Sequence, residues 1–192
     1  MIFKYKHAVV FTPGRTGSQL IVNNIQTCFN ISVTHTHNPL LEVVNNDTIA
    51  FVSRRRNVFE SVASTLLGKR SNEYTSYTTK SVEKFIVGRT EFEDCFWFHK
   101  CFYQLINRSK FEKVVDVWFE DLINDPKYLF NLLDMDRLTD YNFPKSPRNY
   151  YELISNIDQC QMWYDDLKDL TASDTLLELF RKTIINDLNS IQ

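Results

Sequence analysis

Phe11-Thr-Pro-Gly-Arg-Thr-Gly-Ser-Gln-Leu20 follows a short apolar run at residues 8–11 and leads into a segment where Ile21, Ile25, Cys28 and Phe29 recur at helical spacing. The pattern predicts a strand, a tight loop and a helix. Gly14 and Gly17 tolerate backbone angles that other residues resist, and they let a ligand approach the main chain closely. The first N–H groups of the new helix, those of Thr16, Gly17, Ser18 and Gln19, point outward at its positive end. Such a junction is suited to phosphate or sulfate. Arg15 adds a permanent planar cation, and the hydroxyls of Thr16 and Ser18 add neutral donors. The alternative is a plain strand-to-helix turn with a surface arginine.

Two further stretches end at the same expected rim. Asn30-Ile-Ser-Val-Thr-His-Thr-His-Asn-Pro39 alternates Ile31 and Val33 with polar residues, as a short strand does, and ends in His35 and His37. Thr48-Ile-Ala-Phe-Val-Ser53 is an unbroken run of the kind buried in parallel sheets, and it ends in Arg54-Arg55-Arg56. Ligands of open α/β folds sit outside the carboxyl ends of the strands, so both histidines are expected beside the Arg15 loop. Histidines satisfied by backbone at a strand end are the plainer reading. After the arginines, Asn57 can cap a helix with Glu60 three residues on, and Val58, Phe59, Val62, Ala63, Leu66 and Leu67 form its apolar face. Ser64 returns to the face of the cap after about two turns. Arg56 and Ser64 are therefore expected to grip one phosphate from two sides, unless the arginines are only salt-bridging surface groups.

The remaining elements are read more coarsely. Residues 40–44 suggest a brief helix, and residues 68–79 a long loop over an acceptor, with Tyr74 and Tyr77 as contact surface. Helices are expected at residues 81–87 and 91–107, and a fourth strand at Val114, Val115 and Val117. Asp125-Pro126 is read as opening a helix that Leu129, Leu132 and Leu133 continue. Arg148 is a late candidate cation. Two amphipathic helices, over Ile157–Leu167 and residues 175–188, close the chain.

The whole predicts one α/β domain over residues 1–192, with a central parallel sheet between two helical layers. A chain of 192 residues can bury about 70% of the surface exposed when unfolded. With 43% hydrophobic residues, 15 Phe and 9 Tyr it is not a disordered chain, and a net charge of −2 gives no general attraction to nucleic acid or anionic membrane. Cys28, Cys95, Cys101 and Cys160 have no metal-binding spacing, so no metal and a reducing, cytoplasmic setting are expected. No apolar run reaches the length of a membrane span. The sequons starting at Asn30, Asn46 and Asn107 are read as chance in an Asn-rich chain.

Four segments, in order, resemble elements of the sulfotransferases that use 3′-phosphoadenosine 5′-phosphosulfate (PAPS). Gly14-Arg-Thr-Gly-Ser18 is similar to the P-R-S/T-G-S/T loop that holds the 5′-phosphosulfate, and no lysine follows Gly17 as it would in a Walker loop. His35-Thr-His-Asn-Pro39 is similar to the K-T-H-x-P segment whose histidine deprotonates the acceptor; His37 falls on that histidine and His35 on the lysine. Arg56 and Ser64, eight residues apart, resemble the pair that binds the 3′-phosphate, and the run of three arginines followed by Asn57 looks like the bacterial trehalose-type members. Arg54 and Arg55 are alternative registers. Val117-Trp-Phe-Glu-Asp-Leu-Ile-Asn-Asp-Pro126 resembles V-x-Y-E-D-L-x-x-D-P, whose role in the family is taken as mainly structural. The late R-K-G segment of cytosolic members is not seen.

The resemblance implies a three-layer, P-loop-NTPase-like sulfotransferase architecture. It also implies sulfuryl transfer from PAPS to a hydroxyl of a small molecule or carbohydrate, without a metal. Arg15, Thr16, Gly17, Ser18 and Gln19 would hold the phosphosulfate, Arg56 and Ser64 the 3′-phosphate, and His37 would be the general base, with His35 and Arg15 beside the reacting group. Two alternatives stay open: a nucleotide-dependent phosphotransferase of related architecture, and a nucleotide-binding module of the same fold without catalysis.

Overall fold

Four stretches become parallel strands: β1 (His7–Phe11), β2 (Ser32–Thr36), β3 (Thr48–Arg54) and β4 (Lys113–Trp118). The computed structural model describes residues 4–41, 47–71, 83–136 and 150–189. The strands lie in the order β2-β1-β3-β4. Their register sets Phe11 beside both Thr36 and Val52, and Arg54 beside Trp118, so all four carboxyl ends share one rim. From β1 the chain moves outward to β2 and then returns past β1 to β3. The direction of winding therefore changes between β1 and β3, where open α/β sheets place their ligands.

Side chains alternate across the sheet, which divides the core in two. Ala8, Val10, Ile49 and Phe51 face α1 (Ser18–Phe29) through Leu20, Ile21 and Ile25. Val9, Phe11, Ala50 and Val52 face Phe102 and Ile106, at and just beyond the end of α3 (Arg89–Leu105). Helices thus cover both faces in a three-layer α/β/α arrangement, and β1 and β3 are buried at almost every position for that reason. A third cluster lies away from the sheet. There α2 (Val58–Ser71) and α3 meet α7 (Ile157–Leu167) around Phe59, Leu66, Phe92, Phe96 and Cys160.

Several boundaries differ from expectation. The helix expected at residues 81–87 is not one over its described part: Phe85 bridges Ile154 in parallel, and both bonds of the bridge are made, Phe85 N–H to Leu153 O at 3.0 Å and Ser155 N–H to Phe85 O at 2.8 Å. The Asn156 amide then pairs with both the N–H and the carbonyl of Val87, each at 2.9 Å, as a neighbouring strand would. The long loop begins later than residue 68, because α2 runs through Ser71; Tyr74 and Tyr77 lie outside the described residues, as do Arg148 and most of the brief helix at 40–44. After α4 (Phe119–Asn124), the Asp125 carboxylate accepts from the Lys127 N–H at 2.8 Å, and α5 (Tyr128–Asn131) is a single turn. Leu132 and Leu133 therefore follow that helix rather than continuing it. The chain then passes through α6 (Tyr150–Leu153) and α7 to α8 (Asp174–Asn189), which packs on α3.

Candidate anion-binding site at the ends of β1 and β3

The loop after β1 is held from within by hydroxyl groups. Ser53 Oγ donates to the Thr16 carbonyl at 2.6 Å and therefore accepts from Thr16 Oγ1 at 2.8 Å. With its own hydrogen committed, Thr16 Oγ1 accepts from Thr12 Oγ1 at 2.8 Å, and Thr12 Oγ1 in turn accepts from the Gly14 N–H at 2.9 Å. Each hydroxyl donates once and accepts at least once. All three are buried, so an unmet partner there would cost about 1–3 kcal/mol. This corrects one expectation: the Thr16 hydroxyl is spent inside the protein, and only its main chain is available to a ligand. Gly14 (φ 100°), Arg15 (φ 56°) and Gly17 (φ 77°) turn the chain through left-handed conformations between the strand and α1. A non-glycine residue held there marks a conformation that the surroundings enforce.

Both histidines at the end of β2 rest on this loop. His37 Nδ1 lies 3.0 Å from the Thr12 carbonyl, which can only accept, so Nδ1 carries a proton, and the neutral tautomer of this ring has its lone pair on Nε2. The His37 ring also approaches Gly14, its Cε1 being 3.9 Å from where a Cβ would stand. His35 Nε2 is 2.9 Å from Ser18 Oγ at the start of α1, and the two rings are 5.2 Å apart between centroids. Desolvation, helped by the neighbouring His37, lowers the His35 pKa below its ordinary value. At neutral pH His35 is thus mainly uncharged.

Across the loop, Arg15 Nε donates to Ser64 Oγ on α2 at 2.9 Å. The geometry joins Arg15 to Ser64, whereas Arg56, the expected partner of that serine, turns to Asp121 with two parallel bonds of 2.6 and 2.7 Å. That bond holds the Asp121 carboxyl below the usual range. Arg55 ion-pairs with Glu60, lies over the Phe119 ring at 4.9 Å and reaches the Arg15 carbonyl at 3.5 Å. Arg54 donates from Nε to Asp116 at 2.5 Å and stacks on Tyr103 at 4.5 Å. Burial opposes ionisation of Asp116, but Arg108 and Arg54 outweigh it and hold its pKa below the ordinary value. Each arginine of the run therefore meets a carboxylate.

The Phe119-Glu-Asp-Leu122 segment does more than brace the sheet. A Cβ on Gly17 would stand 2.4 Å from Phe119 Cδ2, so Gly17 is the residue that lets this ring cover the loop. Glu120 accepts from the N–H groups of Arg56 (3.0 Å) and Asn57 (3.4 Å) at the entrance to α2. Asn57 Oδ1 accepts from the Glu60 N–H at 3.2 Å as expected, but the reciprocal half of the cap comes from Glu120, because Glu60 is engaged with Arg55. Sequence reasoning missed these roles, and nothing local signals a cap supplied from a residue more than 60 positions away.

Among the described residues, no group of His, Cys, Asp and Glu converges as a metal site, and no helix is long and apolar enough to cross a membrane. Comparison with models of known families, with curated proteins and with solved structures gave no match. The rim is thus characterised by its own geometry: main-chain N–H groups at a helix start, a cation beside a hydroxyl, and an imidazole whose Nδ1 is held by a backbone carbonyl.

Proposed function

We propose that the protein is a sulfotransferase that moves the sulfuryl group of PAPS to a hydroxyl acceptor. The observation that carries this reading is the 2.9 Å bond between Arg15 and Ser64, which brings together two elements expected to bind anions, 49 residues apart in the chain. PAPS supplies an activated sulfur bound to phosphate through oxygen. The acceptor oxygen forms the new bond to sulfur, the bond from sulfur to the phosphate oxygen breaks, and 3′,5′-adenosine bisphosphate (PAP) leaves with the bonding pair. Arg15 and the N–H groups of Thr16, Gly17, Ser18 and Gln19 stabilise the charge that grows on that oxygen. Ser64 and Arg56 serve the 3′-phosphate, and Arg56 must exchange the Asp121 carboxylate for it.

His37 has the tautomer that the proton transfer needs. Its Nδ1–H is anchored on Thr12 O, and Nε2 can take the acceptor proton, a contribution of about 10²–10⁴ in rate. His35, mainly neutral, positions Ser18 rather than acting as a second cation. The test is transfer of labelled sulfate from PAPS to a panel of sugars and small alcohols, with wild type and His37→Ala. Transfer by wild type, lost in His37→Ala while PAP still binds, is expected. Wild-type inactivity across the panel, together with competition between ATP–magnesium and PAP, would point to a phosphotransferase; near wild-type turnover in His37→Ala would place the base elsewhere.

A further inference from the structure

A cavity of about 250 Å³ opens between the end of β3, α2 and α3, and Arg55, one of its wall residues, also reaches the Arg15 carbonyl. At about 30 Å³ per water it has room for roughly eight, somewhat below the size of a drug-binding pocket. Among the described residues no carboxylate lines it, while Arg54, Arg55 and Lys100 do. The Lys100 ammonium is turned to the carbonyls of Lys168 and Leu170, and Arg55 is paired with Glu60. Arg54 differs. Its bond to Asp116 uses Nε alone, and both Nη groups are without a hydrogen bond among the described residues, although its guanidinium lies on the ring of Tyr103, another wall residue. The Gln104 amide, also on the wall, is likewise without a hydrogen bond among the described residues.

Of the other wall residues, Ser61 and His99 are polar but uncharged, and Thr65 helps to hold the imidazole. Thr65 Oγ1 donates to the Ser61 carbonyl at 2.8 Å, so it accepts from His99 Nε2 at 3.2 Å, and His99 Nδ1 keeps a lone pair 3.4 Å from Ser61 Oγ. Burial, with Lys69 and Arg55 nearby, keeps this imidazole neutral. The cavity therefore offers a planar cationic fork and an amide at one side, with hydrogen-bonding neutral groups at the other. A guanidinium fork matches the paired oxygens of a carboxylate or a phosphate.

We propose that this cavity binds a small organic oxyanion, a carboxylate or phosphate of a few carbons, gripped by the Nη groups of Arg54 and by Gln104, separately from the nucleotide. The test is calorimetric titration of malate and, in a second series, inorganic phosphate at constant ionic strength. It uses wild type, Arg54→Gln and the exposed-site variant Gln104→Ala, each checked for folding by circular dichroism. Saturable binding of at least one probe is expected, about 10- to 150-fold weaker in Arg54→Gln, from the loss of one charge-assisted contact, and a few-fold weaker in Gln104→Ala. The two series separate a carboxylate head group from a phosphate. Saturating PAP should not displace the probe, and a failure of PAP to bind would leave this result standing. The proposal is overturned by absence of binding to both probes, by affinity unchanged in both variants, or by displacement with PAP. If Arg54→Gln does not fold, Gln104→Ala decides alone.

Discussion

The loop after β1 and the arginine run after β3 lie on the same rim yet are organised by opposite means. In the loop, neutral hydroxyls satisfy one another in a buried chain, and Arg15 donates to another hydroxyl, that of Ser64. In the run, Arg54, Arg55 and Arg56 are each held by a carboxylate. A region shaped by neutral hydrogen bonds keeps its form whatever anion approaches it. An arginine whose whole fork is already paired must exchange a protein carboxylate for the ligand, as Arg56 would with Asp121. Preorganisation in the loop and exchange in the run are two answers to the same electrostatic task.

The strongest way to break the loop side is steric. Gly17→Ala combines a left-handed backbone with a Cβ that meets the Phe119 ring at 2.4 Å. Overpacking and the backbone together should destabilise by about 2–5 kcal/mol. Urea denaturation checks this, and a variant as stable as wild type would mean that Phe119 does not bind the loop in place.

The cationic side can be read through His99, which faces Ser61 and Thr65 and whose pKa burial, Lys69 and Arg55 lower to about 3. In the unfolded chain the same imidazole takes up a proton near its ordinary pKa of about 6.5. Between those values the unfolded state binds more protons, so this contribution to stability is complete above about pH 6.5 and is lost as the pH falls towards 3. The slope reaches at most about 1.4 kcal/mol per pH unit for the one proton. Denaturation midpoints between pH 7 and 4, compared with those of His99→Gln, should show a shallower slope in the variant; equal slopes would remove the buried neutral imidazole from the account. The smallest effect is expected from Asp121→Asn. Its pair with Arg56 is exposed, so the midpoint should scarcely move, while PAP binding should tighten a few-fold because the amide releases the guanidinium more readily. Weaker PAP binding would show instead that Asp121 holds Arg56 in its working position.

What could be read from the chain beforehand depended on range. β1, β3 and α1 were legible because apolar runs, helical spacing and two glycines are local signals, and Ile157–Leu167 was legible from its amphipathic period. The extended stretch around Phe85 was not, because what fixes it is a bridge to Ile154 and an amide from Asn156, both distant in sequence. The same holds within the site. The loop, His35, His37, the arginines and Ser64 could each be picked out, but the pairing of Ser64 with Arg15 rather than Arg56 is a tertiary choice. The hydroxyl chain through Ser53 and the cap supplied by Glu120 carried no local mark at all.

The loop after β1 is proposed as a ready receptor for the 5′-phosphate of a nucleotide. Calorimetric titration of PAP into wild type and Arg15→Ala, in metal-free buffer, tests that claim most directly. Saturable binding by the wild type, about 10- to 150-fold weaker in the variant, is the predicted result. No binding by the wild type, or equal affinity in the two proteins, would contradict it.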